Sequence, residues 1–201
     1  MLDDMTTVVA ALPAVSRARL RAGDTFIARE LLTLAAGMVR IPDPQKLVHL
    51  QMRRYAGCPI CSLHLRSFVR RKADLDRAGV REVAVFHSSA EELGKVHAAL
   101  PFDVVPDPTR ELYAALGVTT SPLALFHPRG LLAAVRASLS RASAAPSAGV
   151  ADGPFGLPAD FLVAPRGKIL ALKYGSHAND QWSIDELLAL VAGASATEAR
   201  S

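Results

Sequence analysis

The 201-residue chain holds two cysteines, and they stand three apart in Cys58-Pro59-Ile60-Cys61. Thiols at i and i+3 share one side of a helix, so one sulfur can attack a mixed disulfide formed at the other and close a ring between them. The flanking residues place the pair at a helix start. Lys46–Arg54 alternates Val48, Leu50 and Met52 with His49, Gln51 and Arg53, which reads as a strand. Gly57 permits a sharp turn after Tyr55 and Ala56, and Pro59 fits a first helical turn, where its missing N–H costs nothing. A sulfur near the N-cap meets unpaired backbone N–H groups and the positive end of the macrodipole. This lowers the pKa of Cys58 below the free value of about 8.5. Arg53 and Arg54 add positive potential. Two other readings stand beside the reactive dithiol. A zinc half-site would need two further ligands, and the chain offers scattered histidines only (His49, His64, His87, His97, His127 and His177). The pair could also be two buried structural cysteines.

The elements around this pair follow from periodicity and breakers. Residues 1–24 form a polar, Ala-rich lead-in, helical around Ser16 to Arg21. Glu30–Leu34 and Met38–Ile41 flank Ala35-Ala36-Gly37 as a hairpin, closed by Pro42-Asp43-Pro44. Cys61, Leu65, Phe68, Val69 and Leu75 keep a period near 3.6 and predict one helix from about Cys58 to Arg77, ended by Gly79. Val83–Phe86 is a short apolar strand, Ala90–Leu100 a helix, Phe102–Val105 a strand and Thr109–Leu116 a short helix. Leu131–Leu139 has helical character, and Ser138–Gly156 is rich in Ser, Ala, Gly and Pro, which predicts an insertion over about 119–156. Asp160–Ala164 and Lys168–Tyr174 form a hairpin across Pro165-Arg166-Gly167. Ser183–Val191 is a final helix with a Ser183/Glu186 capping box, and a tail follows from Gly193.

This order, a βαβ unit and then a terminal ββα unit, is the thioredoxin layout. The predicted fold is an α/β, thioredoxin-like three-layer α/β/α sandwich with a mixed central sheet. It has an N-terminal extension and an insertion before the last hairpin, with a single domain over 25–192. One feature conflicts with a buried central strand: the face carrying His49, Gln51 and Arg53 is polar. Either that face is partly wet, or an extension or a partner covers it.

Composition sets the remaining bounds. Half the chain is apolar and 21% charged, as in soluble domains, and aromatics make up only 5%, so Leu, Val and Ala build the core. The net charge of +4 is spread along the chain, and the cluster Arg66, Arg70, Arg71 and Lys72 reads as a solvated helix face, not a nucleic-acid surface. No apolar run reaches the roughly 18 residues of a membrane span. Asp3 and Asp4 replace the basic flank of a secretory signal, and the expected location is the cytoplasm.

Several segments together resemble the peroxiredoxin-like branch of the alkyl hydroperoxide reductase/thiol-specific antioxidant (AhpC/TSA) family, over roughly Gly23 to Leu190. They are Arg53-Arg54-Tyr55-Ala56-Gly57-Cys58-Pro59-Ile60-Cys61, Val85-Phe86-His87-Ser88-Ser89, Pro101-Phe102 with Asp107-Pro108, Leu157-Pro158-Ala159-Asp160-Phe161-Leu162, and Tyr174-Gly175-Ser176-His177 through Gln181-Trp182-Ser183. The resemblance implies peroxide- or disulfide-directed thiol chemistry, with Cys58 attacking and Cys61 resolving. It implies no cofactor or metal beyond the redox-active pair. The partners it implies are a peroxide or disulfide substrate and a thiol donor of the thioredoxin or glutathione type, with a homodimer by analogy of fold.

Two departures bear on the substrate. Typical members carry Pro and Thr seven and three residues before the attacking cysteine, where this chain has Gln51 and Tyr55. They carry Arg at the start of the strand after the long insertion, where this chain has Pro158. Thioredoxins have a cis-proline there, so Leu157-Pro158 is expected to be a cis peptide whose backbone docks an incoming chain. Among further candidates, Tyr55 could reach the thiolate or a bound peroxide. His64 could relay protons or simply pack, and His87 should lie at the carboxyl end of the sheet near the site. Trp182 could pack over the disulfide or serve as a core contact.

Overall fold

The computed structural model describes residues 19–119 and 156–198. The helix expected around Ser16 and the features expected within 120–155 lie outside the described residues. Strands β1 (Arg29–Leu32) and β2 (Met38–Ile41) form the anticipated antiparallel hairpin. The main sheet contains β3 (Leu47–Met52), β4 (Val80–Phe86), β5 (Asp103–Pro106), β6 (Ala159–Val163) and β7 (Ile169–Tyr174), in the order β5-β4-β3-β6-β7. Strands β3, β4 and β5 run parallel, and β6 and β7 run antiparallel to their neighbours. This is the mixed sheet that a βαβ unit followed by a ββα unit produces.

Helices cover both faces. Val48, Leu50 and Met52 of β3 point to one side with Val83, Val85, Phe161 and Val163. There they meet Val39 and Ile41 of the hairpin and Leu112, Tyr113 and Leu116 in and beside α4 (Glu111–Ala115). The opposite face is covered by α1 (Pro59–Arg70), α3 (Ala90–His97) and α5 (Ile184–Glu198), through Ile60, Leu65, Phe68, Leu93, Leu187 and Val191. The predicted single helix after Cys58 is broken at Arg71, whose N–H bonds Phe68 O at 3.2 Å. It resumes as α2 (Lys72–Arg77). Among the described residues, no helix is long and apolar enough to cross a membrane.

The polar face of β3 is neither wet nor covered by an extension. It is sealed inside the domain as a closed ring of five side chains. His49 Nδ1 meets the Glu82 carboxylate at 2.9 Å and His49 Nε2 meets Asp160 Oδ1 at 3.3 Å. Asp160 pairs with the Arg53 guanidinium. Arg53 Nε donates to Gln51 Oε1 at 2.6 Å, and Gln51 Nε2 donates to Glu82. Gln181 Oε1 accepts from Arg53 at 2.6 Å, and Trp182 N–H donates to Asp160 Oδ2 at 3.1 Å. Phe68 and Trp182 stack on the His49 ring, at centroid distances of 5.6 and 5.8 Å. Carboxylates within 3.3 Å of both ring nitrogens favour the imidazolium form of His49. The ring therefore balances two positive charges against two negative ones in a site without water exposure.

This balance makes stability depend on pH. Burial alone would strip the His49 proton, but Glu82 and Asp160 outweigh it and raise the pKa to about 9. A raised folded-state pKa contributes stability in full below the unfolded value of about 6.5. The contribution shrinks as pH rises and is gone above about 9. Asp160 is depressed far below the ordinary carboxylate range, mainly by Arg53 and His49 acting against burial, so its contribution is lost in acid instead. Urea unfolding at a series of pH values should show stability declining between pH 6.5 and 9, and His49→Gln should flatten that decline.

Candidate redox site

The dithiol sits where β3 hands the chain to α1. Cys58 is the N-cap of α1, with extended backbone, and its Sγ accepts the Cys61 N–H at 3.3 Å. Pro59 occupies the first helical turn. The turn before it is held from three sides. Cys58 N–H bonds Tyr55 O at 3.1 Å. Ser88 Oγ accepts the Ala56 N–H at 3.0 Å, and His97 Nε2 lies 2.9 Å from Ala56 O. Tyr113 ties in the end of β3, its hydroxyl lying against Arg53 O and 3.0 Å from Val85 O. Ser88, His97 and Tyr113 were not anticipated as positioning residues. The Val85-Phe86-His87-Ser88-Ser89 segment carried a signal for Ser88. His97 and Tyr113 act through helices that only the folded chain brings to the loop.

Cys58 and Cys61 are both buried free thiols, and their sulfurs lie 2.7 Å apart. Three donors converge on Cys58 Sγ: the Cys61 thiol, the Cys61 N–H and the Arg54 guanidinium at 3.7 Å. Burial opposes charge on either sulfur, and the hydrogen bond between them splits their titration. Cys61 is drawn down to about 7, by its bond to Cys58 and then by Arg54 and Arg53, while Cys58 is pushed well above the ordinary thiol value. The two values belong to the pair. The Cys61 N–H and the Arg54 guanidinium, both aimed at Cys58 Sγ, stabilise negative charge there when the pair ionises.

The structure sorts the other sequence candidates. Arg54 reaches Cys58, its guanidinium also lying 5.5 Å from the centre of the Tyr55 ring. Tyr55 is half-buried, and burial and the two sulfurs raise its pKa, so it stays a neutral phenol beside them. Gly57 is buried in the turn. His87 lies at the carboxyl end of β4, 6.4 Å from the Tyr55 ring, and donates its N–H to Arg54 O at 3.2 Å. His64 packs on Phe68 at 4.8 Å. Burial and then Arg53 push its pKa well down, which makes it a neutral packing residue. Trp182 belongs to the cluster around His49 and Phe68, and the dithiol belongs to another. It is the core contact, not a cover for the sulfurs.

One expectation is overturned. The Leu157–Pro158 peptide is trans, and the cis bond among the described residues is Ile41–Pro42. Leu157 and Pro158 are instead fixed by the fold. Leu157 N–H bonds Thr119 O at 3.3 Å, and Pro158 O accepts the Gly175 N–H at 2.8 Å. A Cβ on Gly175 would come within 2.8 Å of Pro158 Cγ and 2.5 Å of Asp180 O, so a glycine seats Pro158 there. The backbone edge expected to dock a substrate chain is therefore already used within the molecule.

A family model described as AhpC/TSA antioxidant enzyme matches residues 67–177, more than half of the chain. The chain belongs to the AhpC/TSA family. Its members are thiol-dependent oxidoreductases, and the matched stretch begins within α1, after Cys61. No curated protein matches the chain. Solved structures agree on the fold. Peroxidoxin BcpB from Mycobacterium tuberculosis superposes with a TM-score of 0.64 at 14% identity, covering 87% of this chain and 98% of that one. AhpC from the same organism gives 0.64 at 18% identity, covering 90% and 96%. A protein assigned as a thiol:disulfide interchange protein DsbE from Chlorobium tepidum gives 0.55 at 19%, covering 86% and 99%. The AhpC/TSA chain described here thus has the thioredoxin-like α/β fold that its element order predicts.

Proposed function

We propose that this AhpC/TSA protein reduces peroxides through a dithiol–disulfide cycle at Cys58 and Cys61. The observation that carries the reading is the pair of sulfurs 2.7 Å apart at the N-terminus of α1, with three donors aimed at Cys58 Sγ. The Cys58 thiolate attacks one peroxide oxygen. An S–O bond forms, the O–O bond breaks, and the leaving oxygen takes a proton to depart as water or an alcohol. Cys61 then attacks the sulfenic sulfur, giving a Cys58–Cys61 disulfide and a second molecule of water. A cellular thiol donor of the thioredoxin or glutathione type supplies the two electrons that restore the dithiol.

Arg54 supports the first step by stabilising the thiolate and the charge developing on the leaving oxygen. Because both sulfurs are buried, the residues packed around them must shift for a substrate to reach them. A small peroxide asks for less movement than a protein disulfide, and the Leu157 N–H that would receive a docking chain is already bonded to Thr119 O.

Rapid mixing of the reduced protein with hydrogen peroxide tests this reading. The expected result is dithiol oxidation much faster than that of free cysteine. A rate no faster than free cysteine, together with fast reduction of a protein disulfide, would reassign the protein as a disulfide reductase.

A further inference from the structure

The two arginines at the end of β3 are held differently. The Arg54 guanidinium reaches Cys58 Sγ at 3.7 Å. Arg53 is fully buried and uses every guanidinium nitrogen within the domain: Nε on Gln51, Nη1 on Gln181 and Nη2 on Asp160. The ring therefore fixes where this cation stands.

That place follows from the crossover between β3 and β4. The two strands are parallel, so α1 runs back along β3. Phe68 of α1 stacks on His49 at 5.6 Å. From Phe68 back to Cys61 is seven helical residues, about 10 Å. From His49 on to Arg53 is four strand residues, about 13 Å. The two paths run in the same direction and bring Arg53 level with Cys61. The electrostatics agree. Burial opposes a Cys61 thiolate, and against it act the bond to Cys58, the Arg54 charge and backbone N–H, and the Arg53 charge. Beyond burial, the charges acting on His64, one turn past Cys61, come from Arg53, Asp160 and His49. Tyr55 and Tyr113, which also sense Cys61, stay neutral phenols.

We propose that the buried ring serves the resolving sulfur, holding Arg53 beside Cys61 so that its cation stabilises the Cys61 thiolate. Arg53 is then a positioning residue for the second step of the cycle, and the inference rests on the dithiol reading given above. Once Cys58 carries the sulfenic oxygen, Cys61 must give up its proton to attack. The S–S bond forms, the S–O bond breaks, and the departing hydroxide takes that proton and leaves as water. With His49 protonated the ring is neutral, so loss of either of its cations leaves net negative charge near the sulfur.

In Cys58→Ser the remaining thiol is Cys61, and its titration, followed by thiolate absorbance or alkylation rate, needs no peroxide. Adding Arg53→Met should move that titration about one pH unit higher. Arg53→Lys should leave it near the parent value. Arg53→Met with Asp160→Leu, which leaves His49 balanced by Glu82, should bring it most of the way back. Loss of shape alone would make the double replacement the worse of the two. A titration unmoved by Arg53→Met, or displaced as far by Arg53→Lys and by the double replacement, would overturn the proposal. Should Arg53→Met not fold, His49→Gln removes the ring's other cation: a higher titration supports the proposal, and an unmoved one rejects it. With both cysteines present, Arg53→Met should slow disulfide closure after peroxide several-fold at neutral pH, and closure at the wild-type rate would contradict the role. If peroxide leaves the wild-type dithiol untouched, the peroxidase reading fails, and the Cys61 titration still decides the ring.

Discussion

Cys58→Ser should abolish the proposed peroxide reduction, lowering the rate at least about 1000-fold, because a serine hydroxyl at the same N-cap stays protonated at every pH the protein tolerates. Cys61→Ser has a different outcome. Its Cys58 still forms a sulfenic acid in the first turnover, but no sulfur lies within reach to resolve it, so a single burst is followed by a stop. A dimedone-type probe should label the Cys61→Ser protein after peroxide treatment and leave Cys58→Ser unlabelled. The wild-type rate should rise as pH passes about 7, where the pair loses its first proton, and then level off. Arg54→Gln should move that rise to higher pH, since it removes the guanidinium 3.7 Å from Cys58 Sγ.

The second large effect lies in the buried ring behind the dithiol. Arg53→Met leaves Asp160 and Glu82 facing a single remaining cation, His49, in a site with no access to water. Breaking a buried pair on one side costs about 3–5 kcal/mol, a large share of the roughly 5–15 kcal/mol that holds a domain of this size together. Urea unfolding should show a loss of that order. Arg53→Met combined with Asp160→Leu removes both partners and should recover much of the loss, since His49 and Glu82 still pair. If the double variant were no more stable than Arg53→Met alone, the ring would not be held by charge balance.

The same ring shows where sequence reading reached its limit. Alternation along β3 correctly separated Val48, Leu50 and Met52 from His49, Gln51 and Arg53. The partners that make the second set buriable lie on β4, β6 and the approach to α5. Glu82, Asp160, Gln181 and Trp182 meet there only when four separate segments pack, so the strand's own residues leave open whether water, an extension or a partner covers that face. The dithiol was easier to read because its chemistry is local. Strand, glycine turn, N-cap cysteine and N1 proline lie within a dozen residues, and each has a short-range reason. Leu157–Pro158 failed for the opposite reason. Its conformation is set by Thr119 and Gly175, which no local pattern connects to it. His97 and Tyr113 likewise position the active turn from α3 and α4.

The most direct test is the fate of the two sulfurs when the fully reduced protein meets one equivalent of hydrogen peroxide. The predicted product has no disulfide between chains, is lighter by two hydrogen atoms, and yields one peptide pair joined through Cys58 and Cys61 that a dithiol reductant separates again. Recovery of both cysteines as unmodified thiols, or a stoichiometric zinc ion held between them, would contradict a redox role for the pair.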